Sequence, residues 1–176
     1  MRCRQTPWLS DGEFVLRLNT KAARERIPVS GTFDLTHRCN LRCVHCYLGA
    51  EPEQTAGREA ELDTAQACDI IDQVARAGCL HLLLTGGEPL LHRGLPDFLR
   101  EVKRLGLDVK LDTNASKPRM LRRVMEKKLV DYLSVHVVAP MSRYREVSRS
   151  RVRVDAVRED YGINTSIIRK AWAAIT

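Results

Sequence analysis

No apolar run in the 176-residue chain approaches the roughly 20 residues a bilayer-crossing helix takes, so a membrane-spanning helix is excluded. The first residues, MRCRQTPWLSDGEF, lack the apolar stretch of a secretory signal. The expectation is a cytoplasmic protein, in a compartment where thiols stay reduced and its six cysteines need not pair. Cysteine is absent after Cys79, so no thiolate ligand comes from the second half of the chain. Acidic residues are outnumbered, 22 against 29 lysines and arginines, for a net charge of +7. A basic surplus can serve nucleic acid. Aromatic residues are scarce where the arginines gather, however: Arg143, Arg145, Arg149, Arg151 and Arg153 interleave with Tyr144 alone. That pattern suits a solvated stretch better than a nucleic-acid site, and neither a membrane nor a nucleic-acid partner is expected.

What is present is ordered as strand then helix, repeated. FVLRL at 14–18 alternates apolar and polar and predicts a short strand within an N-terminal extension, residues 1–30. Gly31–Leu35 predicts the first core strand, and the polar stretch 49–61 a loop. Asp63 or Thr64 can cap a helix that runs to Ala77 and stops at Gly78. HLLLT at 81–85 is the short apolar run of a parallel strand buried on both faces. A helix near Pro96 ends by Gly106, LDVKLDTN gives a third strand, Lys117–Lys128 a helix, and VDYLSVHVVAP a fourth strand. Ile168, Trp172 and Ile175 share one face of a terminal helix. The fold class is therefore α/β with a parallel sheet. Right-handed crossovers gather all strand C-termini at one end, where such folds bind ligands.

Cys39, Cys43 and Cys46 lie on the loop that leaves the first core strand, in THRCNLRCVHCYLG. A structural zinc site takes four protein ligands, and a cubane [4Fe–4S] cluster is usually held by four cysteines. Three thiolates suit the cluster with one iron left open to a substrate or cofactor. The other cysteines carry no such signal: Cys68 shares a helical face with Ile71 and Ala75, Cys79 sits between Gly78 and a strand, and both read as buried.

This triad, followed by TGGEP at 85–89, resembles the radical S-adenosylmethionine (radical SAM) superfamily. The resemblance implies a partial parallel (β/α) barrel, a [4Fe–4S] cluster on the three cysteines and S-adenosylmethionine chelated at the open iron. An electron from the cluster would then cleave the cofactor to methionine and a 5′-deoxyadenosyl radical that abstracts hydrogen. It also implies an electron donor such as flavodoxin or ferredoxin. Gly86 and Gly87, lacking Cβ, let backbone approach the methionine amino group; Glu88 supports the loop or makes a polar contact, and Pro89 completes the motif. His45 stands where the family commonly has an aromatic residue near adenine, and reads equally as an exposed loop histidine. Tyr47 either packs under the loop or contacts adenine. Arg38 and Arg42 either offset the cluster's charge or are surface arginines.

Two branches are suggested. VKLDTNASKP with VDYLSVHVVAP resembles the activases of glycyl-radical enzymes, where Asp112, Thr113 and Asn114 would help place the methionine end of the cofactor. There Val135, His136 and Val138 take the Met, Asp and Lys places of M-D-x-K-A-P, and Ala139 and Pro140 match. KAARERIPVSGTFDLTHRCNLRCVHCYLG and LLLTGGEPLL instead resemble the peptide-maturing and cofactor-building enzymes. The preferred expectation is activation of a glycyl-radical enzyme. The alternatives are modification of a precursor peptide or small molecule, and a non-catalytic iron–sulfur or RNA-interacting fragment. Four βα units can be placed in the core, residues 31–140, and the last two of the family's barrel cannot. The expectation is a barrel truncated to about four units, followed by a basic loop and terminal helix over 141–176.

Overall fold

The computed structural model describes residues 9–48, 61–151, 153 and 157. Cys3, most of the 49–61 loop and the Ile168–Trp172–Ile175 face lie outside the described residues.

Among the described residues the order is α1 (Asp11–Glu25), β1 (Ser30–Thr36), α2 (Thr64–Arg76), β2 (His81–Gly86), α3 (Leu95–Arg104), β3 (Asp108–Thr113), α4 (Pro118–Glu126), β4 (Tyr132–Val135) and α5 (Tyr144–Ser148). Short 3₁₀ turns at Pro89–Leu91 and Met141–Arg143 follow β2 and β4. The strands form one sheet in the order β1-β2-β3-β4, every pair parallel.

The strand expected at 14–18 is instead part of α1. A five-residue alternation carries less weight than a capped, fifteen-residue helix rich in Leu, Lys, Ala, Arg and Glu. Ser10 and Glu13 cap each other: the Glu13 N–H donates to Ser10 Oγ, and the Ser10 N–H donates to Glu13 Oε2 at 2.9 Å. Asp63 opens α2 with the same reciprocal box, accepting from the Gln66 N–H at 2.8 Å while its own N–H donates to Gln66 Oε1 at 2.9 Å. Replacing Asp63 by alanine is expected to cost about 1 kcal/mol, read as a lower urea midpoint at unchanged m. An unchanged midpoint would show that packing alone fixes the start of α2.

One face of the sheet carries the core. Leu82 and Leu84 of β2 and Val109 and Leu111 of β3 meet Ile71 of α2, Phe98, Leu99 and Val102 of α3, and Leu121 and Val124 of α4. Phe33 of β1 stacks on Phe98 with ring centroids 6.3 Å apart. Cys79 is buried in this core and its Sγ donates to the His81 carbonyl; Cys68 packs partly against it. The other face is polar. Asp34 pairs with Thr85 and Asp112 with Ser134 across it, and it is not buried by a second layer among the described residues. Among the described residues HLLLT is therefore covered on one side only, Leu82 and Leu84 being buried while His81, Leu83 and Thr85 are not.

The register slips once. Asp34 pairs with Thr85 and Thr36 with Gly86, so Leu35 is an extra residue in β1. The bulge comes just before the chain leaves the sheet into the cysteine loop. It delivers a buried Thr36 to the strand end.

Candidate functional site

The cysteine loop begins where β1 meets the end of β2. Gly87 N–H donates to the Thr36 carbonyl at 2.6 Å and Glu88 N–H to the Arg38 carbonyl at 2.9 Å. A Cβ on Gly86, whose φ is +110°, would lie 2.4 Å from Thr36 O; one on Gly87 would lie 2.3 Å from Arg38 O. Both glycines are thus required by the contact between the β2 end and the cysteine loop. Arg38 is committed to Glu61 in an ion pair of 2.7 Å.

Beyond Arg38 the three thiols come round one cavity of about 160 Å³, which Cys39, Cys43 and Cys46 all line. Cys39 Sγ accepts from the Leu41 N–H at 3.4 Å and from Asn114 Nδ2 at 3.6 Å. Burial pushes the Cys39 and Cys43 thiols above their ordinary pKa, whereas coordination to a metal deprotonates a thiol outright. The loop is held from behind by residues after β4. Arg42 and Val44 N–H groups donate to the Ser148 and Val147 carbonyls at 2.8 and 3.1 Å. Tyr144 is wholly buried beside them, its hydroxyl pushed up to about 12 by that burial. The aromatic that interleaves the arginines is therefore a core residue, which removes it as a base-stacking group. Nothing in the arginine-rich sequence around it signals this buttress.

The opposite wall comes from strand ends. Gly86 and Gly87 of the β2 end, Asp112, Thr113 and Asn114 of the β3 end, and His136 after β4 all line the same cavity, as do His45 and Tyr47. Tyr47 donates to the Gly86 carbonyl at 3.0 Å and lies 3.3 Å from Thr85 Oγ1, tying the cysteine loop to β2. His45 is exposed on the loop. His136 Nε2 lies 3.5 Å from Asp112 Oδ2 and 3.2 Å from Ser134 Oγ. The buried Asp112 Oδ1 accepts no hydrogen bond within the protein, its nearest cation being Lys110 Nζ at 3.7 Å. It is an acceptor at the cavity wall left for a donor on a ligand.

Two of the expected cofactor contacts do not reach the cavity. Pro89 is buried in the 3₁₀ turn. Glu88 has no exposed surface. Its Oε1 accepts from Leu90 N–H at 2.9 Å and Thr113 Oγ1 at 2.8 Å, and its Oε2 from Asn114 N–H at 2.7 Å. Burial pushes this carboxyl above its usual range, against three donated hydrogen bonds that favour the ionised form. Glu88 is a brace between the β2 and β3 ends, so of its two sequence readings the structure gives support of the loop. Leu41, Leu48, Thr85 and Val138 also line the cavity. Thr85 was within reach as the first residue of TGGEP; the others are apolar and carry no motif.

The donor set fits a [4Fe–4S] cluster. Among the described residues three thiols share one cavity without a fourth cysteine, and no three metal-ligating side chains converge on one ion position. A cluster asks for the former, one thiolate per iron, and a mononuclear site for the latter.

Relatives share this sequence. Fe-coproporphyrin III synthase of Methanosarcina barkeri is 31% identical over 126 residues, covering 72% of this chain and 30% of that protein. PqqA peptide cyclase of Streptomyces rochei is 39% identical over 87 residues, covering 49% of this chain and 23% of that protein. The chain thus spans less than a third of the length of these relatives. The fold is that of Streptococcus suis SuiB, whose crystal structure bound to S-adenosylmethionine superimposes with a TM-score of 0.51 at 18% identity, over 89% of this chain and 35% of SuiB. The likeness shows that the four parallel βα units share the fold of part of that chain. With the Radical SAM superfamily model matching residues 33–165, the chain belongs to the radical SAM superfamily, whose members use a [4Fe–4S] cluster and S-adenosylmethionine.

Proposed function

We propose that this chain is the cluster- and cofactor-binding part of a radical SAM enzyme that modifies a peptide or small-molecule precursor. The observation that carries it is the single cavity shared by Cys39, Cys43 and Cys46, the Gly86–Gly87 backbone and the Asp112–Asn114 strand end. The cysteines would hold the cluster. When bound, the cluster and S-adenosylmethionine supply reductive carbon–sulfur cleavage and a hydrogen-abstracting adenosyl radical.

The protein's own residues position and shield. Tyr47 and the Gly87 and Glu88 amides fix the cysteine loop to β2. Asn114 donates toward the Cys39 sulfur, and hydrogen bonds to cluster sulfurs tune potential. Asp112 offers Oδ1, which accepts no hydrogen bond within the protein, to a cationic or N–H group of the ligand. Leu41 and Val138 give the cavity an apolar lining that limits water.

The relatives' names favour precursor modification, since one is a peptide cyclase and another a porphyrin synthase. Glycyl-radical activation has weaker support. It rests on the DTN segment, while His136 and Val138 stand in the Asp and Lys places of that branch.

Anaerobic reconstitution with iron and sulfide tests the reading. The protein should gain the broad visible absorption of a cluster and, reduced by dithionite with S-adenosylmethionine, release 5′-deoxyadenosine. Cys39→Ala, Cys43→Ala or Cys46→Ala should each abolish both, and Cys68→Ala neither. A cluster retained by Cys43→Ala would sink the assignment.

A further inference from the structure

Asn40 lines a different cleft from its neighbours Cys39 and Leu41. This second cleft, about 610 Å³, is floored by Leu90, Leu91, Pro118 and Met120. Around that floor stand Arg93, Lys117, Arg119, Arg123 and Arg153, and no carboxylate lines it. Among the described residues none of these five cations joins an ion pair, whereas Arg24, Arg38, Arg76, Arg100, Arg104 and Arg143 all do. Among the described residues that line the cleft the field meets no carboxylate, and it is spread over the turn after β2, the start of α4 and residue 153. A single small anion would not span it; an acidic protein surface would.

The cleft also has a polar connection to the cysteine site. Asn40 Nδ2 donates to Ser116 Oγ at 2.8 Å, and both residues line the cleft. Asn40 Oδ1 accepts from Asn114 Nδ2 at 3.1 Å, and the same Asn114 amide lies 3.6 Å from Cys39 Sγ. A partner seated on the cations is therefore separated from the first thiol by one layer of hydrogen-bonded side chains, without entering the cofactor cavity. Among the described residues no aromatic side chain lines the cleft, so none of them stacks an unpaired base as single-stranded nucleic-acid sites do.

We propose that this basic cleft docks an acidic one-electron carrier protein of the flavodoxin or ferredoxin kind. The proposal rests on the reading that Cys39, Cys43 and Cys46 hold the cluster. The exchange balances simply: the carrier is oxidised by one electron, the cluster is reduced by one, and no bond forms or breaks. Charge complementarity gives the encounter its speed and orientation, and the Asn40–Asn114 layer sets the distance of closest approach.

The test uses the reconstituted holoprotein, a purified acidic flavodoxin as probe, and the charge reversal Arg119→Glu/Arg123→Glu. Calorimetry should show flavodoxin binding that weakens as salt rises and is at least about tenfold weaker in the variant. The neutralising pair Lys117→Gln/Arg123→Gln, which removes charge without adding repulsion, should fall between them. Reversal of Arg76 and Arg100, outside the cleft, should change nothing. Dithionite-driven release of 5′-deoxyadenosine should match the unaltered protein in every variant. If flavodoxin does not bind, or binds the cleft variants undiminished, the docking site is wrong even though dithionite still drives cleavage. If a single-stranded RNA oligonucleotide binds and only its binding is lost on reversal, the cleft belongs to nucleic acid and the proposal is overturned. If flavodoxin binds with the expected charge dependence but dithionite yields no 5′-deoxyadenosine, the docking surface stands and the enzymatic reading fails instead.

Discussion

Replacing Glu88 by alanine is expected to be the most destabilising single change in the site, although Glu88 does not touch the cavity. The substitution strips acceptors from three donors at once: the Leu90 and Asn114 N–H groups and the Thr113 hydroxyl. Each buried donor left unpaired costs about 1–3 kcal/mol. The backbone shifts enough to recover some of these bonds, so the net loss expected is on the order of 4 kcal/mol, or roughly 10 °C in thermal midpoint for a chain of this size. Glu88→Gln keeps one carbonyl oxygen but sets an amide N–H against a backbone N–H, and its loss should be smaller. Circular dichroism melting of the unreconstituted protein checks this without any cofactor. An alanine variant that melts within a degree of the parent would show that the β2 and β3 ends do not depend on the carboxylate.

The second large effect is expected from Gly87→Ala. Its Cβ would lie 2.3 Å from the Arg38 carbonyl oxygen and 2.6 Å from the carbonyl carbon. Both are backbone atoms that cannot swing aside. The cysteine loop must move as a body, breaking the Gly87–Thr36 and Glu88–Arg38 hydrogen bonds on which it is seated. Overpacking of this kind costs about 1–3 kcal/mol, and its functional cost exceeds its stability cost because the displaced segment runs straight into Cys39. Iron and sulfide retained after reconstitution should fall well below the parent level. Gly31→Ala is the control, since its Cβ meets nothing closer than Leu82 at 3.7 Å. Gly87→Ala protein with full cluster content would show that the loop closes without this contact.

The βα order and the three thiols were legible because both are local signals. HLLLT and LDVKLDTN announce strands by apolar content, and Cys39, Cys43 and Cys46 fall within eight consecutive residues. Convergence of the TGGEP and DTN segments on the cysteine loop followed from parallel strands alone. The misses share a physical cause: they depend on who packs against whom. Phe14, Val15 and Leu16 belong to a short apolar stretch that suggests a strand, yet they sit exposed on a helix that its Ser10–Glu13 cap fixes. Tyr144 stands among arginines, but its burial is decided by the cluster it forms with Ala115 and Ala139. Glu88 resembles a polar contact in sequence, and only the three donors around it show a brace. The cations of the second cleft come from positions 93, 117, 119, 123 and 153, too far apart in the chain to register as a patch.

Strand order equals chain order in this sheet, so each new strand can add to the one before it as the chain emerges from the ribosome, where N-terminal parts fold first. The cysteine loop does not share that advantage. It is synthesised directly after the first strand, yet its supports arrive in instalments: the glycine seat with residues 86–87, the Asn114 amide with the third strand, and the Val147 and Ser148 carbonyls last. Between the synthesis of Cys46 and that of Ser148 the three thiols therefore belong to an incompletely supported loop, and the pocket takes its shape only when residues 147–148 are in place. Cluster insertion is in this sense a late event on an early segment, and the interval between the two is when these thiols are most open to oxidation.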